Sequence, residues 1–226
     1  VSVGAILLCA GRGERLGGDV PKALVPLAGR PLFVWSLEAL ERTPSVDRIV
    51  IVGPARTLRE LVAARGPAAG KVAAFCEGGR ERQHSVAHGL AALPPECDTV
   101  VVHDAARALV SPALVARVVA DALAHGAAIA ALPLEDTLKR ASLEVIEATV
   151  PRAGLWRAQT PQAFRRDWLE QAHAQASGVA TDDAALVEAL GHRVRLTMGD
   201  AANLKITTPN DLVLAEALLS ARAREG

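Results

Sequence analysis

Aromatic residues are scarce: the 226-residue chain has three phenylalanines, three tryptophans and no tyrosine. Little is therefore available for a base-stacking platform. Surplus charge is absent too, because 25 basic residues balance 25 acidic ones. Without a net positive field, non-specific nucleic-acid binding is not expected. The cysteines are Cys9, Cys76 and Cys97. Their odd number, wide separation and lack of a CxxC pattern exclude a disulfide framework and a zinc ribbon. Cys9 and Cys76 lie in apolar runs and read as small buried hydrophobes. No apolar run approaches the ~20 residues needed to span a bilayer, so no membrane association is expected. The opening VSVGAILLCAGRGERLGG superficially resembles a signal peptide. It lacks a basic leader, and its short apolar run ends in charge, so it reads as a first strand of a cytoplasmic protein. The histidines show no HxH or HExxH spacing, which argues against a protein-only zinc or iron site. Lysine is rare: Lys22, Lys71, Lys139 and Lys205 complete the set.

Short β-type runs alternate with longer helical patterns. The strand candidates are Val3–Cys9, Arg48–Gly53, Lys71–Cys76 and Thr99–His103, with Ala127–Leu132 and Val194–Thr197 as weaker ones. Continuous apolar strands suggest burial on both faces, as in a parallel sheet covered by helices. Helices are expected over Pro31–Arg42, Gln83–Leu93 and Ser111–His125, the last opening on a Ser-Pro cap. Thr208-Pro209 opens a final helix, with Asp211 three residues after the cap and an apolar face of Leu212, Leu214, Ala215, Leu218 and Leu219. This alternation predicts an α/β, Rossmann-like, mostly parallel sheet with helices on both faces. Residues 133–163 break the pattern with short alternating pieces and no helical period, and read as an inserted β-arm. The chain is expected to form a single domain over residues 1–226 with that excursion inside it.

In such sheets ligands bind beyond the carboxyl ends of the strands. Three chemically rich loops follow expected strands there: Ala10–Lys22, Glu77–Ser85 and Asp104–Arg107. In the first, glycines permit sharp turns and close approach to a ligand. Successive N–H groups can form an anion nest, and Arg15 and Lys22 add positive charge, a combination suited to a triphosphate. Gly11, Gly13 and Gly17 give GxGxxxG rather than the dinucleotide fingerprint, and GxxxxGK[ST] is absent. The alternative, a glycine-rich turn with two solvated cations, loses weight once Arg15 and Pro21-Lys22 are counted with the glycines. Lys205 by itself reads as an exposed strand-end lysine, and Lys71 and Lys139 as solvated charges. Asp104, at the strand edge where ligands bind, suits a ligand for Mg²⁺ or for a ribose or polyol hydroxyl, the alternative being a cap or turn residue. His103 reads as a strand-end histidine. Thr181, followed by two acids, reads as a helix N-cap.

Several motifs occur in order along the chain. They are LCAGRGERLGG…PKALVPLAGRPLF, GGRERQHSV at Gly78–Val86, VHDAAR at Val102–Arg107 and DTLKR at Asp136–Arg140. TVPRAGLWRAQTPQAF at Thr149–Phe164, TDDAALVEALG at Thr181–Gly191 and NLKITTPNDL at Asn203–Leu212 follow. Together they resemble the 2-C-methyl-D-erythritol 4-phosphate cytidylyltransferase family of nucleotidyltransferases, over nearly the whole chain. The resemblance implies transfer of the cytidylyl group of CTP to 2-C-methyl-D-erythritol 4-phosphate, with Mg²⁺ or another divalent cation held mainly by CTP phosphates and Asp104 a possible ligand. It implies that Arg15 and Lys22 stabilise the transition state, while Lys205 and Arg152 hold the incoming phosphate. Ala10, Gly11 and Gly13 would cradle the triphosphate. Gly78, Gly79, Arg80 and Ser85, with Asp104 and Ala105, would complete the nucleotide site. Asp104, Arg107, Thr137, Arg152, Thr160 and Thr181 would line the polyol-phosphate site. It further implies a homodimer in which the arm, with Thr137 and Arg152, crosses to a twofold partner.

Ala108 stands where the family commonly has proline, and Ala202 where a polar residue is frequent. No fused cyclodiphosphate synthase is expected after the last helix. Other readings remain open: a cytidylyltransferase for another polyol phosphate such as ribitol 5-phosphate, a uridylyl or guanylyl transferase, or a non-catalytic nucleotide-binding protein.

Overall fold

A computed structural model describes all residues except Arg12, Glu14, Arg15, 17–19, 67–69 and Gly226. Seven strands form one sheet: β1 (Ser2–Leu8), β4 (Arg48–Val52), β5 (Val72–Cys76), β6 (Cys97–Asp104), β7 (Ala127–Pro133), β10 (Trp156–Arg165) and β11 (Arg195–Met198). Their order is β11-β7-β10-β6-β1-β4-β5. The strands β6, β1, β4 and β5 are parallel, as are β7 and β11. Only β10 opposes its neighbours, pairing antiparallel with both β7 and β6. The expected mostly parallel sheet is present, and each expected strand lies within two residues of its place at either end.

The strand sequences dictate two-sided burial. On one face of the sheet Ala5, Leu7, Ile49, Ile51 and Val101 pack with Phe33 and Leu37 of α1 (Leu32–Glu41), Leu58 of α2 (Ala55–Ala63) and Val115 of α4 (Pro112–His125). On the other, Ile6, Leu8, Val50, Val52 and Val102 pack with Val86 of α3 (Arg82–Ala92), Leu169 of α5 (Arg166–Gln175) and Val187 of α6 (Asp183–Ala189). Successive residues of one strand feed opposite cores, as the strand's period of two requires. A third cluster joins Leu27, Leu32, Leu109 and Ile206 to Ala215 of α7 (Pro209–Glu225). It seats α7 beside the small ribbon of β2 (Pro26–Leu27) and β3 (Arg30–Pro31).

The caps follow the sequence closely at two helices. Ser111 Oγ accepts from Leu114 N–H at the start of α4. At α7, Thr208 Oγ1 accepts from Asp211 N–H at 3.3 Å while Asp211 Oδ2 accepts from Thr208 N–H at 2.8 Å. That reciprocal pair is a capping box, each half satisfying a donor the helix leaves free. Thr181 is not the cap of α6. Asp182 takes that place, accepting from Ala185 N–H at 3.0 Å, and leaves Thr181 exposed one residue earlier. A carboxylate one position nearer the helix is the stronger competitor for the free N–H groups. On α7, Leu214 is exposed rather than part of the buried face. Lys71 is tethered, its Nζ donating to the Thr43 carbonyl at 2.7 Å.

The 133–163 excursion is shorter than the sequence predicts. Its centre is a hairpin of β8 (Leu138–Ser142) and β9 (Val145–Val150), exposed almost throughout. From Trp156 the chain re-enters the sheet as β10, and Gln159 to Phe164 are buried. The Thr-rich, Pro-containing run hid a central strand because polar residues there are spent on neighbours rather than on solvent. Among the described residues, no helix is long and apolar enough to cross a membrane.

Candidate active site

At the carboxyl ends of β1, β5 and β6 lies a cavity of about 560 Å³. The chain order reverses between β1 and β6, so this is the crevice where α/β sheets bind ligands. Its lining includes Ala10, Gly11, Gly13, Lys22, Gly79, Arg80, Ser85, Asp104, Ala105 and Lys205, all expected site residues. Arg15, also expected there, lies outside the described residues.

Local sequence explains how these groups arrive. After β1, Gly13 has φ +76°, and a Cβ there would meet the Lys22 backbone at 3.2 Å. Only glycine suits both demands. Lys22 N–H donates to the Gly11 carbonyl at 3.0 Å and opens a short 3-10 turn, Lys22–Leu24, after Pro21. The loop after β5 presses on that after β1: a Cβ on Gly78 would lie 2.3 Å from Ala10 Cβ. Ser85 Oγ accepts from Gly79 N–H at 3.0 Å and lies 3.3 Å from the Glu81 carbonyl, to which it donates. This hydroxyl shapes the loop as well as facing the cavity.

Asp104 ends β6 with its carboxylate between two cations. Lys205 Nζ donates to Oδ2 at 2.8 Å, and Arg82 Nε donates to Oδ1 at 3.2 Å. Burial alone would raise the Asp104 pKa, but the charges of Arg82 and Lys205 outweigh it and hold the carboxyl well below the usual range. Arg82 also donates from Nη1 to Asp183 Oδ2 at 2.6 Å. Burial would lower the Arg82 pKa, yet the two aspartates raise it, so it stays charged.

Lys205 is placed by the loop after β11. Gln159 Nε2 donates to the Asp200 carbonyl at 2.9 Å, and Asn203 Nδ2 donates to the Thr160 carbonyl at 2.8 Å. Ile206 N–H donates to the Ala106 carbonyl at 2.8 Å. Arg107 spends its guanidinium on that loop and on β10, donating to the Asn203 carbonyl at 2.8 Å and the Ala158 carbonyl at 3.3 Å. It neither bonds Asp104 nor lines the cavity. Thr160 lies behind the site: its hydroxyl accepts from Asp104 N–H at 3.1 Å and is 3.1 Å from His103 Nδ1. Thr137, Arg152 and Thr181 are exposed and do not line this cavity.

Sequence reasoning missed Arg82. Its signal was the second arginine of GGRER, at the first position of a helix facing the strand ends. Its two carboxylate partners are 22 and 101 residues away, so no local pattern could pair them. Cys9 also reaches the cavity lining, but burial pushes its thiol pKa up, so it offers no thiolate. Among the described residues, no group of three or more His, Cys, Asp or Glu could hold a metal ion. Both Asp104 oxygens are engaged by cationic side chains.

The arrangement suits polyphosphate chemistry: two glycine-containing loops and the Lys22 and Lys205 side chains line one cavity, and no activated nucleophile stands among the described residues. Comparison with known proteins agrees. The family model for 2-C-methyl-D-erythritol 4-phosphate cytidylyltransferase matches residues 3–221. A protein of that name from Gloeobacter violaceus is 43% identical over 231 residues, covering 97% of each chain. One from Geobacillus kaustophilus is 45% identical over 226 residues, covering 98% of each. The crystal structure of the Thermus thermophilus protein of that name superposes with a TM-score of 0.78 at 39% identity, over 95% of this chain and 98% of that one. The chain therefore belongs to the 2-C-methyl-D-erythritol 4-phosphate cytidylyltransferase family.

Proposed function

We infer that the chain performs its family's reaction, transferring the cytidylyl group of CTP to 2-C-methyl-D-erythritol 4-phosphate. The observation that carries this reading is the meeting of Lys22, Asp104 and Lys205 with the glycine loops in one cavity. A phosphate oxygen of the acceptor attacks the α-phosphorus of CTP in line. The new P–O bond forms as the bond to the β-phosphate bridging oxygen breaks, and pyrophosphate leaves with that electron pair. Two anions must touch, so positioning and electrostatic stabilisation dominate over proton transfer.

The loop of Ala10, Gly11 and Gly13 offers backbone donors to the triphosphate. Lys22, with Arg15, stabilises charge developing at the α-phosphate. Gly79, Arg80, Ser85 and Ala105 line the nucleoside subsite, while Gly78 does not line the cavity and packs against Ala10. Lys205 receives the incoming phosphate, while Thr160 and Arg107 secure Asp104 and the Lys205 loop from behind. A divalent cation would supply further neutralisation of the triphosphate. The described side chains do not form a cage for it, so nucleotide oxygens and water would be its main ligands.

The arm supports a composite site in a homodimer. Its Leu143 is 94% exposed and Val145 68%, an apolar surface suited to burial against a second copy. Thr137 and Arg152, exposed at the arm, would then serve the partner's polyol-phosphate site, with Thr181 a further contact there. The chain is proposed to act as one catalytic domain with this arm inserted.

The test is product analysis after incubation with CTP, Mg²⁺ and methylerythritol 4-phosphate. The expected products are the CDP-alcohol and pyrophosphate, with ribitol 5-phosphate consumed far more slowly. Faster turnover of ribitol 5-phosphate would reassign the acceptor.

A further inference from the structure

Lys205 Nζ is bonded to Asp104 Oδ2 at 2.8 Å. The ammonium has three donors and its side chain is 44% exposed, so it can keep Asp104 and turn its remaining donors to an incoming phosphate, provided its charge is not wholly spent on that carboxylate. The Asp104 side chain is only 12% exposed. A carboxylate there with Lys205 as its sole cation would draw that charge to itself and leave less of it for the phosphate.

Arg82 removes the difficulty. Its Nε bonds the other Asp104 oxygen, Oδ1, and its Nη1 bonds Asp183 Oδ2. Its Nη2 is buried without a hydrogen-bond partner among the described residues. The side chain reaches the cavity lining, but Nε and Nη1 are committed to carboxylates and Nη2 is buried, so its hydrogen bonds are directed at Asp104 and Asp183. Asp183, with a side chain 1% exposed, places Oδ1 3.0 Å from His173 Nε2. The chain of contacts thus runs from α5 and α6 through the first residue of α3 to the end of β6.

We propose that Arg82 is a positioning residue for the transfer reaction: it shares the charge of Asp104 so that Lys205 keeps donors and charge for the acceptor phosphate, and Asp183 with His173 anchors Arg82 for that task. This rests on the reading of Lys205 as the acceptor-phosphate ligand. Arg82 acts through Asp104 and Lys205, not by touching substrate. Its loss tightens the hold of Asp104 on Lys205 and weakens the acceptor step selectively.

The experiment is steady-state kinetics with CTP and methylerythritol 4-phosphate varied separately, alongside thermal unfolding, for four variants. Arg82→Gln is expected to raise KM for the acceptor about tenfold or more while KM for CTP moves less than about threefold. Arg82→Lys recovers most of that loss, because one cation besides Lys205 on Asp104 suffices. Asp183→Asn shifts the acceptor KM in the same direction by a smaller factor. If Arg82→Gln does not fold, Asp183→Asn decides the matter: an unchanged acceptor KM in it overturns the proposal. A rise in KM for CTP alone, or for both substrates equally, makes Arg82 a nucleotide ligand and overturns it too. So does a fall in Tm and kcat with no change in acceptor KM. Lys205→Gln is the reference. If it leaves the acceptor KM unchanged, the assignment of Lys205 fails first; if it raises that KM while Arg82→Gln does not, only the role of Arg82 fails.

Discussion

His103 shows how much one buried side chain can constrain. It is 0% exposed, and burial pulls its pKa down to about 4 against the opposing pull of Asp104. As a neutral imidazole it fits its partners: Nδ1 accepts from the Thr160 hydroxyl at 3.1 Å, and Nε2–H donates to the Arg107 carbonyl at 3.3 Å. A proton on Nδ1 would turn it toward a hydroxyl already accepting from Asp104 N–H. The unfolded chain binds that proton at its ordinary pKa of 6.5 and the folded chain does not until about 4. Stability attributable to this group is therefore complete above pH 6.5 and is lost as pH falls toward 4. The loss by pH 5 is about 2 kcal/mol. Urea unfolding at pH 7 and pH 5 should show it, and His103→Gln should flatten that part of the pH dependence. Lys22 makes a separate point. Lys22→Ala should cut turnover by roughly 10²–10³, as loss of a transition-state donor does, with Tm changed by no more than a few degrees. An unchanged rate would remove Lys22 from the site.

At the scale of elements, the arm is the segment whose sequence and placement disagree most with an isolated fold. All five residues of β8 are exposed, and two exposed strands joined by a turn are marginal in water without a partner surface. If the arm completes a neighbour's site, two dead variants should complement each other. In a mixed dimer of Lys22→Ala and Arg152→Ala chains, one site inherits both defects and the other inherits neither. Random mixing should then restore about a quarter of the wild-type rate. No recovery after mixing under exchange conditions would mean that each chain is self-contained. The strands and the helices α1, α3, α4 and α7 were legible because their apolar period is strong and their caps are local. The helices α2 and α5 were not anticipated, and α6 was signalled only by its expected cap at Thr181, one residue early. α2 buries only Leu58 and Val62, a stripe too narrow to stand out. The strand β10 was hidden inside the expected excursion because Gln159, Thr160 and Gln162 are buried polar groups whose partners lie far along the chain.

For the whole molecule, the gathering of loops at the strand ends was legible from the order of strands and motifs. The sequence placed Lys22 and Lys205 by their surroundings, and both line the cavity. The ion chain through Arg82, Asp104 and Asp183 was not legible. It joins residues as much as 101 positions apart, and charge pairing at that range is decided by the sheet rather than by spacing. The roles of Arg107 and Thr160 as braces emerge for the same reason: their polar atoms meet carbonyls and amides of other strands.

The single antiparallel strand, finally, ties two ends of the molecule together. β10 starts at Trp156, at the root of the arm, and continues to Arg165 beside β6. Midway along it, Thr160 supports the Asp104 amide and Gln159 grips the Asp200–Asn203 turn. The arm is therefore mounted like a lever on the same beam that carries the catalytic fittings. In the proposed dimer, a partner that steadied its far end would brace the same strand that holds Thr160 and Gln159, so assembly and turnover would share one mechanical part.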